Sequence, residues 1–413
     1  MDSVNPGDIA VTTFTISSDR GSLDLTSSFS SASIYESIFT PGIVADITVL
    51  DTDDLLGKMK LFGDESVTIN FTTPGGTTAN YKLAVHKLEE VKTVTSSLKS
   101  KSYVIKLVSE ESHYAKNNYV QKNFNTQISS MIKTIVKDYL HSSKNVDAED
   151  TKGTQKILIS HQNPYKAIDM VRRRAISSEN KSSLFVFFET RSGSDQIFKF
   201  STIEKLFKGS AVKSFKQSDA VSTDISNKFD NQIIALEVPT QFNASDRIAT
   251  GGEVKVSRFN FQTHQYISEK KTPKLTDYTS GGSGDPNSST FTSKYRQAGA
   301  GANPNLLLIG EDTSKRANTH IPTNTADQQA YIASLMQNSV KMRVPGDLNI
   351  KAGDVINADI PNKKSTTDNS ANDPILSGKF LVSRIHHEIG PKGETPRYTC
   401  VIECLKGNTE QGV

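Results

Sequence analysis

The residues of this chain that could do chemistry are few and scattered. His386 and His387 adjoin in the run GKFLVSRIHHEI. In a strand, neighbouring side chains point to opposite faces, so these two imidazoles do not share a ligand. No nearby His, Cys or carboxylate run completes a metal-ligand spacing with either one. Cys400 and Cys404 stand four residues apart in YTCVIECL. At ~3.3 Å per strand residue they are ~13 Å apart, beyond the ~7 Å Cα limit of a disulfide. They read as two reduced thiols on one strand face, which points to synthesis in a reducing compartment. Asp51, Asp53 and Asp54 invite calcium. An EF-hand loop counted from Asp51 needs glycine at its sixth position and glutamate at its twelfth, where this sequence has Leu56 and Phe62. A polar strand–turn junction is the simpler reading. His86, His113 and His161 fall in three separate elements, and nothing in the sequence links them.

Signatures of catalysis are missing in the same way. GGSGDPNSS lacks the Lys-Ser/Thr of a phosphate-binding loop and does not join a strand to a helix. No G-x-S-x-G elbow, HExxH or Cys/His nucleophile pattern occurs. A glycosidase needs only two carboxylates, and no sequence pattern tests for those. Arg172-Arg173-Arg174 is the longest cationic run and lies in a helical pattern, where a solvated helix face is the ordinary reading. Asn243-Ala244-Ser245 matches a glycosylation acceptor, but no secretory signal accompanies it. No catalytic, cofactor-binding or metal site is therefore expected.

The elements that would position these groups are mostly strands. GIVADITVL (42–50), KMKLFGDESVTINFTT (58–73), NYKLAVHKLEEV (80–91) and SYVIKLVS (102–109) are rich in β-branched and aromatic residues, with turn dipeptides between them. The Ser/Thr-rich first thirty residues are either a mobile arm or an edge strand. From Glu111 the period changes. Ile128, Met131, Ile132, Ile135, Val136, Tyr139 and Leu140 fall on one helix face. KILIS (156–160) is a strand, and Asn163-Pro164 caps a second helix with proline at its first position. FVFFET and IFKFS form a hairpin around 192–195, and Ser201 with Glu204 has capping-box spacing for a short helix. QIIALEVPTQF, EVKVSRFNF and HQYISEK read as strands. Residues 271–305 form a polar loop whose length points to function or disorder. A helix follows over 326–340, and strands return to the C-terminus.

This gives a β-rich α+β chain of several domains: 1–110, 111–215, 216–325 and 326–413, the last completed by 216–240 if those strands join it. The 413 residues suit about two to four domains. Only 35% are hydrophobic, below the ~45–50% of ordinary globular chains (a count that includes glycine). Thin cores leave much surface for partners. No stretch approaches the ~20 apolar residues that span a bilayer. Net charge is only +3, where a protein that grips duplex DNA shows a basic excess or stripe.

The order of the blocks carries a resemblance. NPYKAIDMVRRRAISSENKSSLFVFFETRSGSDQIFKFSTIEKLF resembles the core of tailed-phage baseplate hub proteins and the hub part of VgrG and late-control D proteins. The matching residues are Arg174, Ala175, Phe188, Glu189, Thr190, Gly193, Phe198, Phe200 and Leu206. The C-terminal run is similar at Val344, Gly346, Asp347, Gly353, Asp354, Pro361, Ser377, Gly378, Lys379, Val382 and His387. Gly346-Asp347 and Gly353-Asp354 are also turn dipeptides in their own right. The resemblance spans about 40–408 and is loosest over 215–320.

The resemblance implies two tube-like antiparallel β-barrels plus smaller α+β domains. Three copies would form a ring of pseudo-sixfold symmetry, joining a sixfold tail tube to a threefold central spike around a DNA channel. Implied partners are the homotrimer itself, the spike protein (with or without a lysozyme), a tail tube or tube-initiator protein, baseplate wedge proteins and a tape-measure protein. Specific nucleic-acid binding and stable membrane insertion are not implied. The place would be the tail baseplate of the virion, after synthesis in the bacterial host cytoplasm. VgrG-type chains continue into a spike, so the stop at Val413 implies a separate spike polypeptide. The alternatives are a tail-associated cell-wall hydrolase, recognisable by a pocket with two facing carboxylates, and a receptor-binding tail protein.

Overall fold

The computed structural model describes residues 7–52, 54–58, 61–93, 100–180, 182–217, 231–240, 254–260, 264–271, 303–309, 339–361, 376–391 and 397–406, with a few single positions between them. Strand alternation builds its first part: β1 (Ala10–Ser18), β2 (Gly21–Asp24), β3 (Phe29–Ser37), β4 (Val44–Asp51), β5 (Ser66–Thr72), β6 (Thr78–Thr93) and β7 (Lys101–Val108), with a helical turn α1 (Leu55–Lys58) after β4. Every second residue is apolar and buried, as a one-sided strand requires: Phe14 and Ile16, Ile47 and Val49, Ile69 and Phe71, Ile105 and Leu107. Rings of Phe14, Phe29, Phe71 and Tyr81 run edge to face through this core at 6.2–6.3 Å between centroids. The segment 58–73 carries the turn expected at Gly63-Asp64. Gly63, at φ +93°, turns the chain, and pairing begins only at Ser66.

The helical period then takes over in α2 (Glu110–Asn117), β8 (Val120–Thr126), α3 (Ile128–Asp138), β9 (Val146–Ala148), β10 (Gln155–Gln162), α4 (Pro164–Arg172), β11 (Phe185–Ser192), β12 (Asp195–Thr202), α5 (Ile203–Phe207) and β13 (Ala211–Lys216). The expected α3 face is buried at Ile128, Met131, Ile132, Ile135 and Val136. Asn163 caps α4 as its sequence predicts, accepting hydrogen bonds from the amides of Tyr165 and Lys166 at 3.0 and 3.4 Å. Ser192 pairs with Asp195 across the β11–β12 turn, where Gly193 supplies the positive φ. The cap of α5 is Thr202, one residue after the expected Ser201. Its hydroxyl accepts from the Lys205 amide at 3.3 Å, while Ser201 donates at 3.1 Å to the buried Glu149.

Strand β11 is covered on both faces. Phe185 and Phe187 enter a core shared with α3, α4 and β12, whereas Val186 and Phe188 enter the larger core of the β regions. That double burial explains the unbroken aromatic run FVFF.

Strands β14 (Ala235–Thr240), β15 (Val254–Asn260), β16 (Gln265–Lys271), β17 (Asn303–Ile309), β18 (Ser339–Pro345), β19 (Val355–Asp359), β20 (Gly378–Ile389) and β21 (Tyr398–Leu405) complete the chain. β15 lies between β16 (antiparallel) and β17 (parallel) in a small separate sheet. Most of the 271–305 loop, and the 326–340 helix apart from isolated positions and its last two residues, which begin β18, lie outside the described residues.

Both β regions belong to one 13-stranded sheet, ordered β14-β18-β21-β20-β3-β4-β7-β6-β5-β1-β2, with β19 also on β20 and β13 on β19. The N-terminal strands are thus ordered, with β2 at the sheet edge. The seam between the halves is the antiparallel pair β3–β20, from Ser37 opposite Arg384 to Ala32 opposite Ile389. The chain is β-rich α+β, as expected. Among the described residues no helix is long and apolar enough to cross a membrane.

Candidate functional site

The seam holds a cluster of buried polar side chains. In β3, Ala32, Ile34 and Glu36 share the inward face, so the pattern places a carboxylate where an aliphatic residue is the norm. Glu36 accepts hydrogen bonds from the Tyr81 hydroxyl at 3.2 Å, Arg191 Nε at 3.4 Å and the Ala352 amide at 3.3 Å. Arg191 also donates to the Leu348 carbonyl at 2.9 Å. His387 of β20 lies with Nε2 3.8 Å from Glu36 and Nδ1 2.7 Å from the Tyr398 hydroxyl, and Cys400 Sγ is 3.4 Å from the same Nδ1.

Burial, and then the nearby Arg191 charge, hold the His387 pKa well below its ordinary value, so the ring is neutral. Burial pushes the Cys400 thiol up to about 11, which makes it an inert structural thiol rather than a nucleophile. The cluster therefore acts as a brace. One carboxylate ties the first β region (Glu36, Tyr81) to β11 (Arg191) and to the turn before β19 (Ala352).

That turn is where the sequence motifs meet. Gly346, Asp347, Gly353 and Asp354 lie in the 346–354 connection between β18 and β19, packed on β11. The Thr190 hydroxyl donates to the Ala352 carbonyl at 3.2 Å. Gly346 has no side chain because the Tyr398 ring occupies that space, 2.2 Å from where a Cβ would sit. Gly353, at φ +88°, lies against Phe188, 2.8 Å from a would-be Cβ. Asp347 accepts from the Asn349 amide at 2.9 Å and pairs with Lys213 at 2.8 Å. Burial raises Asp354 to about 6. Gly378, at φ +121°, starts β20 and stands apart from this group. Motif residues more than 150 positions apart in the chain are thus in direct contact.

A second brace lies beside the first. Glu189 accepts from the Ser109 hydroxyl and from Gln196 Nε2 at 2.8 Å, and Lys144 bridges Glu189 and Glu111 at 2.6 and 2.8 Å. Gln196 in turn accepts from the Lys82 amide of β6 at 2.6 Å. The α+β block is pinned to the first β region by buried polar bonds as well as by packing.

On the opposite face of the seam an open groove of about 830 Å³ crosses β14, β18, β21, β20 and β3. His386 stacks on Tyr35 here, with ring centroids 4.2 Å apart. Its carboxylates are matched by cations: Glu388 by Arg343, Glu403 by Arg384 at 2.9 Å, and Glu237 by Lys341 at 3.6 Å. The two adjacent histidines thus serve different faces, one buried and one in the groove.

The remaining candidates resolve individually. His86 and His113 come together with ring centroids 5.9 Å apart, while His161 stacks on Tyr119 elsewhere. Asp51 ends β4, and Asp54 pairs with Lys101 at 2.8 Å; Asp53 lies outside the described residues. Arg172 and Arg173 both pair with Asp169 on their own helix. Cys400 and Cys404 are buried free thiols. Asn243 lies outside the described residues. Among the described residues no group of three or more His, Cys, Asp or Glu could hold a metal ion. Glu36 and Arg191 escaped the sequence reading. The signal was present as a charge in the inward register of β3.

No protein-family model matches the chain, and no curated protein matches it in sequence. Solved structures do match. A tail protein from Neisseria meningitidis MC58 is 10% identical, with a TM-score of 0.60 over 96% of this chain and 97% of that one. The 43 kDa tail protein of prophage MuSo2 from Shewanella oneidensis is 11% identical, with a TM-score of 0.57 over 96% of this chain and 98% of that one. A Francisella PdpA-VgrG complex is similar at 10% identity and a TM-score of 0.50, over 98% of this chain and 53% of that one. Along nearly its whole length, then, this chain shares the fold of the Neisseria and Shewanella tail proteins.

Proposed function

We propose that the chain is a structural hub of a contractile phage-type tail. Three copies form a ring, and the two halves of each subunit's long sheet supply six tube-like units around a central channel for DNA. One end of the ring receives the threefold spike and the other supports the sixfold tube. The observation that carries this reading is the seam. Two β regions from opposite ends of the chain are joined edge to edge and cross-braced by Glu36, Arg191 and His387, in a fold shared end to end with tail proteins. A subunit that must hold two ring positions at a fixed spacing needs such a rigid joint. Its work is assembly, with no bond-breaking step assigned to it. The thin hydrophobic composition fits a subunit that completes its burial against its neighbours.

Partners under this reading are the spike protein, a tube or tube-initiator protein, wedge proteins and the tape-measure protein, all in the baseplate of the virion. Co-expression with the product of the neighbouring spike reading frame, followed by size-exclusion chromatography and negative-stain imaging, tests it. A three-to-three complex with the spike on the ring axis is expected. A chain that stays monomeric beside its spike, or that lyses peptidoglycan when purified, would overturn it.

A further inference from the structure

One end of the α+β block gathers rings and lysines that the hub reading leaves without a role. Here α2 ends, α3 ends, β10 ends and α4 begins, and two side-chain bonds lace these termini together. Asn118 Nδ2 donates to the Tyr139 carbonyl at 2.8 Å, and Asn163 Nδ2 donates to the Ala115 carbonyl. Tyr119 and His161 stack with centroids 4.1 Å and planes 8° apart, and Tyr114 meets His141 edge-on at 5.2 Å. Tyr114 is 45% and Tyr119 49% exposed. His141 and His161 both hold a left-handed backbone, at φ +49° and +48°. Such a conformation is uncommon away from glycine and persists where the surroundings enforce it. The rings are held in place rather than loosely displayed.

Charge collects around them. Lys116 lies in the last turn of α2, Lys137 in the last turn of α3 and Lys166 in the first turn of α4, all exposed. Lys122 of β8 pairs with Asp138 at 3.6 Å. The other three form no ion pair among the described residues. In a chain whose net charge is only +3, this end is a local concentration of positive charge.

We infer that this end is a docking surface for an acidic protein partner. Aromatic residues, tyrosine above all, favour the centres of protein interfaces, and charged residues favour their rims. Lysines at the rim steer a surface of opposite charge and suppress wrong partners. Phenol hydroxyls and imidazole N–H groups add donors suited to carboxylates. Single-stranded nucleic acid fits less well. It needs open ring faces to stack on, whereas Tyr119 and His161 each cover one face of the other. The inference holds independently of the hub reading.

Fluorescence anisotropy on the full chain tests it, with three labelled probes at low and physiological salt: an oligoglutamate peptide, oligothymidine and a short DNA duplex. The peptide is expected to bind more tightly than either nucleic acid. The K116E/K137E/K166E variant should weaken peptide binding about tenfold or more. Tyr119→Ala should weaken it about threefold with an unchanged circular-dichroism spectrum. K58E/K152E/K208E, which reverses exposed lysines elsewhere, should leave it within about twofold. Equal losses in both triple variants, no loss in the first, or tighter binding of either nucleic acid would overturn the proposal.

Discussion

Glu36 and Arg191, 155 residues apart in the chain, meet at 3.4 Å with neither side chain more than 1% exposed. A pair this deep is costly to build, because both charges leave water, and costlier still to break. Its geometry explains why it is tolerated. Glu36 also accepts from Tyr81 and Ala352, and Arg191 also donates to Leu348, so both charges have several partners.

Removing one partner strands the other. Arg191→Ala should lose about 3–5 kcal/mol of stability in chemical denaturation. The double variant E36L/R191M, which removes both charges and keeps the volume, should recover much of that loss. A double variant as unstable as the sum of the two single variants would show that the pair is not coupled.

The glycines of the C-terminal motif should rank by what surrounds them. Gly346→Ala drives a methyl into the buried Tyr398 ring and should cost the most, about 2–3 kcal/mol or more. Gly353→Ala combines positive φ with a contact to Phe188 and should follow. Gly378→Ala meets only the end of Lys406 at 3.7 Å, so it should cost only the backbone strain, about 1 kcal/mol. Thermal melts of the three variants give the order directly.

Much of this was legible in the sequence, and the remainder has identifiable causes. The α3 face, the Asn163 cap, the 192–195 turn and the opposite fates of His386 and His387 follow from local period and cap chemistry. The α5 cap missed by one residue: Ser201 and Thr202 both donate to the buried Glu149, and it is the Thr202 hydroxyl that also accepts from the Lys205 amide. The seam pairs Ser37 with Arg384, a contact that no local pattern encodes. Glu36 was visible as a charge on an apolar face, but its partner lies in another block of the chain.

Acid should loosen the seam through His387. Its pKa is lowered in the folded state, chiefly by burial, so the unfolded chain takes up a proton that the folded one refuses. That contribution to stability is present above about pH 6.5, the ordinary histidine value, and is lost as pH falls below it. His387→Gln should flatten the stability–pH curve between about pH 6.5 and 5 relative to the wild type. An unchanged slope would place the titration elsewhere.

Asp354 works in the opposite direction. Its folded pKa is raised from the ordinary carboxylate range to about 6, chiefly by burial. The stability it adds is present below the unfolded value and lost as pH rises through about 6. Asp354→Asn, which keeps an acceptor for the Lys351 amide, should be more stable than wild type at pH 8 by up to about 3 kcal/mol. The difference should vanish near pH 4.

The two cysteines should be silent. Cys400 and Cys404 are buried in β21, and burial raises both thiols. A thiol reagent should label neither in the native protein and both in denaturant. Fast native labelling would mean that β21 opens readily, against the braced seam described above.

The most direct test of the central claim is cryo-electron microscopy of the purified chain at high concentration, alone and with its spike. The hub account predicts a threefold ring, with six tube-like units around an open channel and the β3–β20 seam joining each pair. A monomer under both conditions, or an extended fibrous trimer without a channel, would contradict it.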